Sequence, residues 1–225
     1  MGIGSTLQLA APPDFIGADP DKGMAPCPAC RKPEDRLKRR LAYADMPITT
    51  RTFESFEVRA GAEESYTTAK EFASGDPGYA GLTITGPVGN GKSHLLQAVG
   101  WEMLSQDYTV KYVCVGDLLQ KLRDTYDPDS QVQFASLWES YQRASVLLLD
   151  DLTENPRPTA WAQGQMERLV DRRYRDGSPW VITTNLTLEV LAEVWGWRLA
   201  DRIFDEGSGI VRVVYNTAKS YRTGR

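Results

Sequence analysis

From residue 80 onward, short apolar runs alternate with stretches whose apolar positions recur every three to four residues. Residues 82–85, 110–115, 146–149, 181–184 and 210–214 read as five strands. The third is wholly apolar, as a strand buried on both faces must be. A glycine-rich turn follows the first strand, and then a helix with Leu95, Leu96, Val99 and Met103 on one face. Leu188, Leu191, Trp195, Leu199 and Ile203 form a second stripe, predicting one helix between the fourth and fifth strands. Strands alternating with helices predict an α/β fold with a five-stranded parallel sheet between helices.

Upstream the pattern fades. Gly, Pro, Ala and Asp dominate the first thirty residues, with Pro12, Pro13, Pro20, Pro26 and Pro28 as breakers, and the segment reads as a loose tail. Cys27 and Cys30 precede a basic run of Arg31, Lys32, Arg36, Lys38, Arg39 and Arg40. These lie on a predicted short helix, with Leu37 and Leu41 at helical spacing and Pro47 ending it. Residues 52–56 (TFESF) then lead into a polar helical segment that closes near Gly75. The expected division is an N-terminal extension over 1–46, a partner-docking candidate, and a main domain over 47–225.

Composition removes several chemistries. With one histidine, a Ser-His-Asp triad has a single candidate base, and a multi-histidine zinc site cannot form within one chain. Three sparse cysteines do not make a disulfide framework and suggest a reducing compartment. No run of about eighteen apolar residues and no basic-then-apolar leader is present, so the expectation is a cytoplasmic protein with no membrane association. The net charge of -4 supplies no global field for nucleic acid, which confines any DNA contact to local basic segments.

Gly86, Pro87, Val88, Gly89, Asn90, Gly91, Lys92 and Ser93 spell G-x-x-x-x-G-K-S between a strand and an amphipathic helix. Glycines let consecutive N–H groups turn inward around phosphates, and the helix N-terminus adds partial positive charge. Lys92 then reaches the β- and γ-phosphates of ATP, and the Ser93 hydroxyl is a Mg²⁺ ligand. Such a loop needs a carboxylate partner. Asp150 and Asp151 end the apolar third strand, where open α/β sheets bind ligands; Asp150 is the second metal-site residue and Asp151 orients or deprotonates the attacking water. Asn185 ends the fourth strand, where an amide could hold that water or cap the next helix. Arg198 and Arg202 lie four apart and share a helix face; they form either a solvated ion-paired face or a finger toward a neighbouring subunit's nucleotide.

Taken together these pieces resemble the AAA+ ATPases of the helicase-loader family (DnaC/DnaI-like), close relatives of the IstB transposition ATPases. The resemblance runs from about Pro47 to the end and rests on residues 52–56, 86–94, 147–152, 169–175, 183–186, 198–202 and 220–222. It implies an ATP-bridged oligomer with Lys92, Ser93, Asp150, Asp151 and Asn185 acting in cis. Asn185 takes the sensor-one position, and Arg202, with Arg198 as second choice, acts in trans. His94 is implied as support beneath the loop. Implied partners are a replicative helicase of the DnaB-type hexamer and single-stranded DNA, contacted through the segment between the second and third strands. There Lys121, Arg123 and Arg143 would meet phosphates, and Tyr126, Phe134 or Trp138 would stack on bases or belong to the core.

This sequence departs from the family pattern in three places. Asp151 stands where AAA+ proteins usually carry Glu, which predicts slow hydrolysis. No C-terminal helical lid is expected after the fifth strand, leaving Arg222 as a substitute for the lid arginine. The region before the core is short for a helicase-docking domain. Cys27 and Cys30 have the ligand spacing for half a zinc site; zinc there would need ligands from a second chain or an acid such as Asp21, and the pair reads as an incomplete knuckle. The rival readings are an IstB-like helper acting with a transposase on duplex DNA, an ATP-gated adaptor with negligible turnover and, more distantly, a small-molecule P-loop kinase.

Overall fold

The computed structural model describes residues 33–154 and 156–223, with side chains from residue 39 onward. The sheet contains β1 (Gly81–Thr85), β2 (Val110–Cys114), β3 (Val146–Leu152), β4 (Trp180–Thr184) and β5 (Val211–Tyr215). Their order is β2-β3-β4-β1-β5, and every pairing is parallel. All five expected strands are therefore present. The third is longer than its apolar run, because Asp150, Asp151 and Leu152 continue it.

Strand alternation divides the core in two. Leu82, Ile84, Val146, Leu148 and Val181 face one layer, made by α1 (Pro33–Ala44), α2 (Glu63–Ala73) and α3 (Lys92–Ser105). Leu147, Leu149, Trp180, Ile182 and Val213 face the other. That layer holds α4 (Val115–Asp124), α5 (Phe134–Arg143), α6 (Ala160–Asp176), α7 (Leu188–Trp195) and α8 (Trp197–Phe204). Both faces of the sheet are covered, which is why its central strands can be almost wholly apolar.

The stripe from Leu188 to Ile203 is not one helix. Gly196, at φ +95°, breaks it into α7 and α8. Leu191, Trp195, Leu199 and Ile203 are all buried on either side of the break, so apolar spacing alone could not reveal it. Glycine's freedom at positive φ permits the turn.

Two polar devices lock the layers. Arg173 on α6 is 1% exposed and has no carboxylate partner among its hydrogen bonds. Its guanidinium donates to the carbonyls of Tyr141, Gln142, Ala144, Ser145 and Pro179, tying the end of α5 to the starts of β3 and β4. Burial pushes its pKa below the ordinary arginine range. Close by, and 5.6 Å from the Tyr141 ring, Lys111 of β2 donates to the Tyr43 carbonyl at 2.7 Å and pairs with Asp45 at 3.1 Å, holding the end of α1 to the sheet. Ala44 and Met46 complete that contact within the core. Cys27 and Cys30 lie outside the described residues, as does the start of the basic run. Of that run, Arg40 is seen paired with Asp107.

Candidate active site

The loop between β1 and α3 turns on three glycines at positive φ: Gly86 (+142°), Gly89 (+82°) and Gly91 (+96°). At Gly91 the steric reason is direct, since a Cβ would come within 2.7 Å of the Phe56 ring. Gly91 is also the N-cap of α3 and brings no side-chain acceptor to the first-turn N–H groups. In contrast, Thr159 and Thr187 cap α6 and α7 with their hydroxyls. An anion at the mouth of α3 would meet donors that no side chain has taken.

Lys92 curls back into the loop. Its ammonium donates to the carbonyls of Gly86 and Pro87, each at 2.7 Å, and to Asn90 Oδ1 at 3.1 Å. Burial lowers its pKa to about 8, opposed in part by Asp151 and Asp150. Asn90, 1% exposed, is itself held by the segment after β5. Its amide donates to the Asn216 carbonyl at 2.5 Å, and the Asn216 amide returns a bond to the Asn90 carbonyl at 3.0 Å. Further along, Tyr221 N–H donates to the Gly89 carbonyl at 2.9 Å. Residues 216–221 therefore brace the loop, and a Cβ on Gly89 would lie 3.8 Å from Arg222 Cδ. Val88 stands out at the loop's tip, 65% exposed.

His94 is engaged by residues 52–56. Its Nε2 lies 2.9 Å from the Thr52 carbonyl and 3.3 Å from Ser55 Oγ, and its ring meets Phe56 edge-on at 5.0 Å. Burial lowers its pKa, favouring the neutral ring. This gives residues 52–56 a physical role: they pack the one histidine and the Phe56 ring beneath the phosphate loop.

Asp150 is 4% exposed and accepts three hydrogen bonds. Ser93 Oγ donates to its Oδ1 at 2.9 Å, Thr183 Oγ1 to the same oxygen at 2.5 Å, and the Tyr112 phenol to Oδ2 at 2.8 Å. Burial, and then the charge and hydrogen bond of Asp150, raise the Tyr112 pKa, so its phenol stays a donor. The paired oxygens of Ser93 and Asp150 suit a hard divalent cation. Magnesium takes few protein oxygens and fills its shell with water and phosphate. With its hydrogen donated to Asp150, the Ser93 hydroxyl keeps its lone pairs for that cation. Among the described residues, no three His, Cys, Asp or Glu side chains gather as an alternative metal cluster.

A bulge between Leu149 and Leu152 separates the two acids. It places Asp151 at φ +58°, exposed, with its N–H donating to Thr183 Oγ1 at 2.9 Å. Asp tolerates this left-handed conformation better than most residues. Asn185 is exposed just past β4, and Thr187 rather than Asn185 caps α7. Asn185 is thereby free of the capping role. Arg202 belongs to another group of residues: it bonds Asp171 at 3.3 Å and Asp201 at 3.1 Å and lies 4.5 Å over the Tyr174 ring. Arg198 pairs with Glu167 at 3.0 Å. Within one subunit, then, both arginines are held against α6 or by their own helix.

The segment between β2 and β3 divides as well. Trp138 is 7% exposed and stacks with Phe134 inside the core, whereas Tyr126 is 63% exposed. Lys121 pairs with Asp45, Arg143 with Glu139, and Arg123 lies over Trp161. Sequence reasoning passed over Tyr112 and gave Thr183 no separate role. Their signal was strand parity, since Tyr112 lies two residues before Cys114, the cross-strand partner of Asp150.

Among the described residues, no helix is long and apolar enough to cross a membrane. The chain is 31% identical over 153 residues to a Sinorhizobium fredii protein named as an insertion-sequence ATP-binding protein, covering 67% of this chain and 49% of that one. It therefore spans about half the length of that relative. It is 24% identical over 176 residues to the replicative helicase loader DnaC of Escherichia coli, covering 77% of this chain and 71% of the loader. The fold matches the crystal structure of the DnaC helicase loader with a TM-score of 0.62 at 20% identity, over 74% of this chain and 96% of that one. The five-stranded parallel sheet matches the AAA+ P-loop fold of that neighbour. The family model described as IstB-like ATP binding protein matches residues 29–225, and the chain belongs to that family.

Proposed function

We propose that this protein is an ATP-dependent helicase loader that binds ATP with Mg²⁺, multimerises on single-stranded DNA and delivers a replicative helicase during DNA replication. The observation that carries the nucleotide reading is the 2.9 Å contact of Ser93 with Asp150 beside a lysine-bearing glycine loop. The likeness to DnaC supports the loading role.

In this reading Lys92 exchanges its carbonyl partners for the β- and γ-phosphate oxygens. Ser93 and Asp150 hold Mg²⁺, which when bound neutralises charge on the phosphates. Asp151, exposed on its bulge, orients the attacking water and accepts its proton, and Asn185 holds the γ-phosphate or that water. Arg202 exchanges Asp171 for a neighbouring subunit's nucleotide, which makes nucleotide state a switch for assembly.

A second reading is favoured by the 31% identity to the insertion-sequence relative: an IstB-like helper acting with a transposase on duplex DNA. A third, an ATP-gated adaptor with negligible hydrolysis, rests on the shorter Asp151 at the water position. ATPase measured with single-stranded and with duplex DNA, plus capture of a purified hexameric helicase, separates all three. Stimulation by duplex alone without helicase capture would sink the loader, and nucleotide binding without turnover would leave the adaptor.

A further inference from the structure

Asp150 must do more than be near Ser93. A carboxylate that rotates about its Cβ–Cγ bond presents its oxygens in changing directions, and a cation held by one side-chain oxygen from each of two residues has little else to fix it. Three donors oppose that rotation, and they do not act alike. Ser93 from α3 and Thr183 from β4 both address Oδ1. Tyr112 alone addresses Oδ2, at 2.8 Å.

The tyrosine is well built for this task. Cys114 is the cross-strand partner of Asp150 and Tyr112 the partner of Leu148, so all four residues project from the same face of the β2–β3 pair. The Tyr112 ring is 7% exposed and belongs to the core cluster that includes Leu96, Val99 and Leu148. Packing fixes the ring, and the ring fixes its hydroxyl. Thr183 performs a related service from β4: it donates to Asp150 Oδ1 and accepts the Asp151 N–H, so one hydroxyl sets both acids.

We infer that Tyr112 is a positioning residue for the divalent-cation site: its phenol pins Asp150 Oδ2 and thereby keeps Oδ1 turned toward Ser93. The inference rests on the nucleotide reading above and deepens it, because it assigns part of the cation dependence of nucleotide binding to a residue that touches neither nucleotide nor metal. Partners that orient a metal-ligating carboxylate alter metal affinity by about tenfold or more when removed.

The test uses the full chain, a fluorescent non-hydrolysable ATP analogue, and Mg²⁺ titrated from an EDTA-buffered zero. Tyr112→Phe deletes one oxygen and keeps the ring. The expected result is a rise of about tenfold in the Mg²⁺ concentration for half-maximal tightening of the analogue. Its affinity in EDTA should stay at the parent's value, while the thermal midpoint falls modestly because Asp150 Oδ2 loses its one donor. Thr183→Ser, which keeps the hydroxyl, should titrate like the parent, and Thr183→Val should shift in the same direction as Tyr112→Phe. A purely structural tyrosine gives a different outcome: the same Mg²⁺ midpoint as the parent, or equal weakening with and without Mg²⁺. Either result overturns this inference while leaving the nucleotide reading in place. A parent chain that binds no analogue in either condition overturns both.

Discussion

Asn90 and Asn216 stand 126 positions apart in the chain and exchange two hydrogen bonds, each side-chain amide donating to the other's backbone carbonyl. One belongs to the phosphate loop and the other follows the last strand. Both are buried, Asn90 at 1% and Asn216 at 0% exposed. The loop's shape therefore depends on a segment that follows β5, far along the chain from the loop itself.

Replacing Asn216 with Ala should loosen the loop. It strips the Asn90 carbonyl and the Ala218 N–H of their partners, and a buried polar group left unpaired costs about 1–3 kcal/mol. The expected outcome is a loss of about 2 kcal/mol in urea unfolding, together with weaker analogue binding both with and without Mg²⁺. The lack of Mg²⁺ selectivity distinguishes it from the Tyr112 variant.

Lys92 carries a pH signature. Its pKa in the folded protein is about 8, against 10.5 for an ordinary lysine. Between those values the unfolded chain holds a proton that the folded chain does not, so Lys92 makes stability rise with pH in that window. Below about pH 8 its burial penalty is fully present. Phosphates should restore the charge, so at pH 8.5 nucleotide binding should take up most of one proton, and at pH 6.5 none. Calorimetry in two buffers of different ionisation enthalpy reads this directly. Zero uptake at pH 8.5 would show that Lys92 does not meet the phosphates.

Arg202 and Lys92 should separate in their effects. Lys92→Ala should abolish nucleotide binding by every species. Arg202→Ala should leave binding by the isolated subunit unchanged while lowering ATPase of the assembled protein by at least tenfold. If assembled ATPase is untouched, Arg202 is merely the partner of Asp171 and Asp201.

Arg173 should be a stability residue and nothing else. Arg173→Met leaves its five acceptor carbonyls short of a donor and should cost about 3 kcal/mol in urea unfolding. Arg173→Lys should recover only part of this, since an ammonium has three donors for five acceptors. The affinity for the ATP analogue, measured below the unfolding transition, should match the parent's.

The chain by itself determined the α/β class, all five strands, the phosphate loop and the acid at the end of β3. These are local facts: apolar runs of strand length, glycines at fixed offsets, and one lysine and one serine opening a helix. Local spacing also made Asn185 and Arg202 visible as candidates.

Other features were decided only by tertiary structure. The break at Gly196 was hidden because α7 and α8 bury residues that keep a continuous helical stripe. Tyr112 and Thr183 come from strands on either side of β3, so their meeting at Asp150 depends on strand order and register, which no linear spacing encodes. Arg173 stands beside Arg172 and Arg175, and nothing in that stretch marks one arginine as buried; only packing against the end of α5 and the starts of β3 and β4 turns it inward. Composition posed the question of chemistry with a single histidine. Packing answers where that histidine goes: beneath the loop against Thr52, Ser55 and Phe56, while a lysine and a triply held carboxylate occupy the candidate site.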